Sequence, residues 1–122
     1  MSTRNYSVVI CAYTEDRWDQ ISAAVQSVRQ QSLPAAEIII VVDYNRPLYE
    51  RLREAMPDVT VTENTDIKGL SGARNTGSRL AQGEIIVFLD DDATAHADWL
   101  KFMDDTYANP AITGVGGLTL PD

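Results

Sequence analysis

Three runs in this chain are apolar almost from end to end: Tyr6 to Cys11 (YSVVIC), Glu37 to Val42 (EIIIVV) and Glu84 to Leu89 (EIIVFL). A strand with one face in water alternates apolar and polar residues, because successive side chains point to opposite faces. Runs without that alternation belong to strands covered on both faces. Between them the period changes. From Asp16, residues Trp18, Ile21, Val25 and Val28 return at helical intervals, predicting a helix with one apolar face that Pro34 stops. Pro47 is placed to open a short helix carrying Leu48 and Leu52. Val59 to Thr62 reads as another strand, and Ser71 to Gln82 as a helix closed by Gly83. A last helix carries Trp99, Phe102, Met103 and Tyr107 up to Asn109-Pro110, and Ile112 to Val115 is expected to begin a fifth strand. The pattern predicts an α/β fold, a mostly parallel sheet flanked by helices.

With 122 residues the chain has room for one domain with a sizeable core, but not for two of typical size. No apolar run approaches the roughly 20 residues that a membrane-spanning helix needs, so no membrane segment is expected. The opening MSTRNYSVVICAY does not read as a secretory signal. Cys11 is the single cysteine and cannot close an intramolecular disulfide, so a cytoplasmic setting is expected. Eighteen acids against ten Lys and Arg give a net charge of −8, which argues against a nucleic-acid partner and for a bound cation.

Ligands of open parallel sheets bind outside the carboxyl ends of the strands. Cys11 to Glu15, Asp43 and Asp90-Asp91-Asp92 all fall at such ends. Three adjacent carboxylates repel one another unless a cation sits among them. In an extended segment Asp90 and Asp92 share one face and Asp91 takes the other. Such a pair offers the hard oxygens that Mg²⁺ or Mn²⁺ prefers, with water and phosphate completing the shell. By these residues alone, a solvated acidic loop ahead of the Trp99 helix remains an equal reading.

The segment Gly72 to Arg79 (GARNTGSR) imitates a phosphate loop, but Ser78 stands where the lysine must be and the segment lies inside a helix. A dinucleotide fingerprint is absent after the first strand. What remains is a helix amino terminus near Ser71, with Lys68 before it and Arg74 in its first turn, suited to a diphosphate. Ser71 as a plain helix cap and Arg74 as a surface residue fit the spacing equally well.

Read in order, VVICAYTED, EIIIVVD, NTDIKGLSGARNTGSRLAQGEIIVFLDDD and ADW resemble the donor half of glycosyltransferase family 2, the Rossmann-like nucleotide-binding half of the GT-A fold. The similarity runs from about Ser7 to Gly117 and is most specific in the long third motif. It implies transfer of a sugar from a nucleotide-diphosphate donor, with inversion at the anomeric carbon and with Mn²⁺ or Mg²⁺ as cofactor. By the same resemblance Cys11, Tyr13 and Glu15 lie in the segment that contacts the nucleotide. Asp43 is the aspartate that hydrogen-bonds the base, usually uracil, and Arg74 lies near the nucleotide. Asp90 and Asp92 are the ends of the D-x-D metal motif, with Asp92 the direct ligand, and Asp91 touches the ribose or the donor sugar.

The chain departs from the family pattern in places. Cys11 stands for a usual proline, Thr14 for an asparagine, and Val42-Asp43-Tyr44-Asn45 for the common Asp-Asp-Gly-Ser. The VVDYN…YERL pattern is similar to members that act on polyprenyl-phosphate-linked sugars, so a lipid-linked or polymeric glycan is the expected acceptor. No residue reads as the general base that must take the acceptor's proton. In the family it lies in the acceptor half, so residues 1–122 are expected to form a single donor-binding domain cut short before that half, inactive or weakly active alone. Any membrane association would come from that further region. A nucleotidyltransferase would carry a Gly-rich basic loop where Ala12-Tyr13-Thr14-Glu15 stands; an interaction domain retaining the fold is the other alternative. The lone His96 reads as a helix-start or surface residue, not a ligand.

Overall fold

The computed structural model describes residues 4–107. Four parallel strands, β1 (Tyr6–Ala12), β2 (Glu37–Val42), β3 (Thr60–Glu63) and β4 (Ile85–Asp90), form one sheet in the order β3-β2-β1-β4. The helices are α1 (Trp18–Arg29), α2 (Arg46–Ala55), α3 (Leu70–Leu80) and α4 (Trp99–Tyr107). A single 3-10 turn, Glu15–Arg17, precedes α1, with Thr14 Oγ1 accepting from the Asp16 N–H at 3.1 Å. The expected strand at Ile112 to Val115 lies outside the described residues.

Residue parity divides the sheet into two faces. Val8, Ile10 and Ala12 of β1, Ile40 and Val42 of β2, and Val87 and Leu89 of β4 share a core with α1, α2 and α4, including Ile21, Val25, Leu48, Leu52, Trp99 and Leu100. The opposite parity, Val9, Ile39 and Val41 with Cys11, Ile86 and Phe88 beside them, packs against Ala73 of α3. The continuous apolar runs follow from this coverage. Each large aliphatic side chain so buried contributes about 1.5–3 kcal/mol relative to exposure. Helix α3 approaches closely because Gly77 has no side chain: a Cβ there would stand 2.5 Å from Val9 Cγ1 and 3.2 Å from Val41 Cγ2.

Two helices end earlier than the sequence pattern predicts. Helix α1 stops at Arg29, not at Pro34, because the next residues dock elsewhere. The Gln31 amide donates to the Ser27 and His96 carbonyls at 3.1 and 2.6 Å, and its oxygen accepts from the Leu100 N–H. Helix α3 spans Leu70–Leu80 instead of Ser71 to Gln82. Ala81 is already extended, and the Gln82 and Gly83 N–H groups are taken by Glu37 and Ser7 at the amino end of the sheet. Its amino end is capped by Gly69, at φ 118°, not by Ser71, which is exposed. His96 is exposed at the start of α4, and its Nδ1 accepts from the Asp98 N–H at 3.2 Å.

Candidate functional site

A cavity of about 290 Å³ opens at the carboxyl ends of β1, β2 and β4, beside the first turn and a half of α3. Seven of the eight residues singled out from the sequence line it: Cys11, Tyr13, Asp43, Arg74, Asp90, Asp91 and Asp92. Glu15 does not. Its carboxylate faces Arg51 of α2 at 3.8 Å, because the 3-10 turn carries it round the outside of the sheet. Lys68 is exposed and is not among the lining residues.

Strand parity aims the side chains. Cys11 and Phe88 share the α3 face, and Arg74 lies over the Phe88 ring, 5.3 Å from its centroid. Arg74 makes no ion pair with any described residue, so its charge is available to an anion in the cavity. Arg74 is half-buried and lines the cavity. Burial is the main cause that pushes the Cys11 thiol up to about 11; Asp91, Asp43 and Asp90 push the same way and Arg74 opposes them. A thiol held neutral is a lining group and not a nucleophile.

The acid triplet splits in exposure, although the extended segment ends at Asp90 and Asp91-Asp92 form a turn instead of continuing the strand. Asp90 and Asp92 are exposed, whereas Asp91 is buried. Its Oδ1 accepts from Arg17 Nη1 at 2.9 Å, and its Oδ2 is buried with no hydrogen-bond partner among the described residues. Burial raises the Asp91 pKa above the ordinary carboxylate value, and the bond and charge of Arg17 act against that rise. Arg17 also reaches Asp92 at 3.9 Å and lies 5.2 Å from the centroid of the Tyr13 ring. It is the cation that the sequence reading lacked. Nothing local marks it, since its partner is 74 residues away.

At the end of β2, Asp43 is held from three directions. Its N–H donates to the Ala12 carbonyl at 2.8 Å, Asn64 Nδ2 donates to Oδ1 at 2.9 Å, and the Gly69 N–H lies 3.1 and 3.0 Å from the two carboxylate oxygens. Tyr44, which stands where the family pattern has glycine, adopts φ 54°, in the left-handed region that glycine takes without strain. Its hydroxyl donates to the Asp66 carbonyl at 2.6 Å, tying the β2 end to the loop before α3.

The donor set is compatible with a divalent cation in one way. Among the described residues no three Asp, Glu, His or Cys side chains form a ready-made ligand group. Two exposed carboxylates, Asp90 and Asp92, flank the cavity, which suits an ion that keeps water and substrate oxygens in its shell.

Residues 7–116 match the sequence family described as Glycosyl transferase family 2. The chain belongs to that family. Among curated relatives it is 38% identical over 120 residues to the glucosyl-dolichyl phosphate glucuronosyltransferase of Haloferax volcanii, covering 95% of this chain and 38% of that protein. It is 31% identical over 112 residues to human polypeptide N-acetylgalactosaminyltransferase 10, covering 85% of this chain and 18% of the relative. The chain thus spans well under half the length of these relatives. Among solved structures it superposes on the mannosyltransferase PcManGT of Pyrobaculum calidifontis, in complex with GDP-Man and Mn²⁺, with a TM-score of 0.68 and 25% identity over 92% of this chain and 34% of that one. S. aureus TarS 1-349 in complex with UDP-GlcNAc shares the fold, with a TM-score of 0.65 at 24% identity over 84% of this chain and 32% of that one. The family 2 chain has the parallel, helix-flanked sheet of the GT-A fold, as the sequence pattern predicts.

Proposed function

We propose that these residues form the donor site of a glycosyltransferase, which takes a nucleoside diphosphate sugar and passes the sugar, with inversion, to a glycan carried on a lipid phosphate. The observation that carries this reading is the convergence of Asp43, Arg74 and the acid triplet on one cavity at the strand ends. Asp43 presents a carboxylate to an N–H of the base, uridine being the nucleoside that the family resemblance favours. Tyr13 and Cys11 wall the nucleotide. Arg74, without an ion pair among the described residues, meets the diphosphate electrostatically.

Asp90 and Asp92 would hold a divalent cation together with the donor's phosphate oxygens, Asp92 being the direct ligand. That ion would supply Lewis-acid stabilisation of the departing diphosphate. The PcManGT complex with Mn²⁺ supports this assignment without deciding between Mn²⁺ and Mg²⁺. In the transfer the acceptor oxygen forms the new bond to the anomeric carbon as the sugar–phosphate bond breaks. The acceptor's proton must go to a base, and we assign that role to no described residue. These residues on their own are a donor-binding unit, inactive or weakly active in transfer. The lipid-phosphate acceptor rests on the name of the 38% identical relative.

The experiment is calorimetric titration of UDP and GDP into the chain, with and without Mn²⁺, beside Asp92→Ala. Binding that needs Mn²⁺ and is lost in the variant is the expected result. No binding of either nucleotide to a chain with intact α/β circular dichroism would overturn the donor-site reading.

A further inference from the structure

Asn64, which directly follows β3, is 6% exposed and has every polar position of its side chain filled. Its Nδ2 donates to Asp43 Oδ1 at 2.9 Å and to the Ile67 carbonyl at 3.0 Å. Its Oδ1 accepts from the Asp66 N–H at 2.8 Å and from the Thr76 hydroxyl at 2.7 Å. A primary amide has two donors and two acceptor lone pairs, so no capacity is left for a ligand. The pattern also fixes which way the amide faces. Two donors, Asp66 N–H and Thr76 Oγ1, hold the oxygen, so the nitrogen must point at Asp43.

The consequence falls on the carboxylate. Oδ1 of Asp43 already receives Asn64 and Gly69, whereas among the described residues Oδ2 shares only the Gly69 N–H. The remaining acceptor capacity is therefore concentrated on Oδ2, beside the cavity that Asp43 lines. We propose that Asn64 is a positioning residue for base selection: by holding Oδ1, it presents Oδ2 as a fixed acceptor for a ring N–H of the nucleobase. This rests on the reading that the cavity takes a nucleoside diphosphate sugar.

A carboxylate accepts and does not donate. Uracil and guanine carry a ring N–H on their pairing edge, whereas cytosine and adenine present a lone pair there. A fixed Oδ2 bonds the first two and repels the others, and a site built around one buried hydrogen bond discriminates strongly against partners that lack it. A carboxylate free to turn would bond its nearest backbone N–H groups instead and lose that selectivity. Thr76 acts one step further out. Its hydroxyl fixes Asn64 and accepts from the Thr65 N–H at 3.2 Å, without a bond to Asp43.

The test is calorimetry of UDP, GDP, CDP and ADP, each with Mn²⁺, on the intact chain, Asn64→Ala, Asp43→Ala and the double variant. The expected result is that Asn64→Ala lowers affinity for the better of UDP and GDP by about tenfold and leaves CDP and ADP nearly unchanged. In the Asp43→Ala background the same change should have no further effect on selectivity, the signature of a residue acting through another. Equal weakening of all four nucleotides, in both backgrounds, would show that Asn64 only supports the fold and would overturn the proposal. Selectivity that disappears in Asp43→Ala but survives in Asn64→Ala would also overturn it, leaving the donor site intact. Failure of the intact chain to bind any nucleotide would remove the donor-site reading and this proposal with it. Should Asn64→Ala not fold, Thr76→Val carries the test: a smaller loss of selectivity in the same direction supports the proposal, and unchanged selectivity overturns it.

Discussion

Arg17 donates to the buried carboxylate of Asp91 across 2.9 Å, from a turn after β1 to the residue that follows β4. The pair joins the two strands that carry most of the cavity and explains how three consecutive acids persist at a strand end. Asp91 turns inward to a fixed cation, leaving Asp90 and Asp92 in solvent. Removing Arg17 alone leaves a buried charge without its partner, which costs more than the pair itself contributes. Arg17→Met should therefore lower the melting temperature by several degrees at neutral pH, and adding Asp91→Asn should restore most of the loss. A thermal melt of the two single variants and the double variant checks this. Equal losses that simply add would show that the two side chains act independently.

Two glycines of α3 make opposite predictions. Gly77 faces the sheet, and its Cβ would press on Val9 and Val41. Gly77→Ala should destabilise by about 1–3 kcal/mol through overpacking, while nucleotide affinity in the surviving folded fraction is retained. Gly72 faces the loop before α3: a Cβ there would stand 1.8 Å from the Ile67 carbonyl oxygen. Backbone cannot yield as a side-chain tip can, so Gly72→Ala should displace the loop that carries Asn64 and Gly69. It should therefore lower nucleotide affinity more than Gly77→Ala does. Urea melts paired with calorimetry separate the two effects.

What the sequence revealed and what it hid follow one division. The strands were legible because double coverage by helices writes itself into consecutive residues such as Ile38-Ile39-Ile40-Val41-Val42. The burial of Asp91 was legible because it continues the inward parity of Val87 and Leu89 one step past the strand, although Asp91 and Asp92 themselves lie in a turn. Contacts that depend on tertiary closure were not. Arg17 meets Asp91, Asn64 meets Asp43, and Glu15 leaves the cavity for Arg51, all through pairings between separate elements. The early end of α1 has the same origin, since Gln31 is recruited by the loop at the start of α4. The cap of α3 was misplaced by two residues because Gly69 is selected by its positive φ, which composition alone assigns equally well to any nearby turn.

Cys11 gives a pH dependence of definite sign. Its pKa in the folded chain is raised to about 11 by burial, above that of an ordinary thiol. The stability associated with the neutral thiol is complete below the ordinary thiol pKa and is lost as pH rises through about 11. Alkylation by iodoacetamide at pH 8 should thus be roughly a hundredfold slower in the folded chain than in urea, because about one thiol in a thousand is ionised there. Mass spectrometry over time measures both rates. Equal rates would show that the thiol is not buried as described.

Asp90 and Asp92 pose the last test, in which stability and binding should move apart. Both are exposed beside Asp91, so each adds like charge to a crowded strand end; among the described residues neither carboxylate accepts a hydrogen bond, and Asp92 meets Arg17 only at 3.9 Å. Removing one of them relieves repulsion in the ligand-free chain. Asp92→Ala should therefore melt no lower than the unaltered protein without metal, and Asp90→Ala should behave alike. With Mn²⁺ and UDP present, a site that binds only the folded state raises stability, by about 2.7 kcal/mol when ligand reaches a hundred times its Kd. The unaltered chain should show that upward shift and Asp92→Ala should lack it, with Asp90→Ala intermediate. Differential scanning fluorimetry across a Mn²⁺ series reads both halves of the prediction. A variant that melts lower without metal would mean that the acids hold the strand end together, and an undiminished shift in Asp92→Ala would place the cation elsewhere.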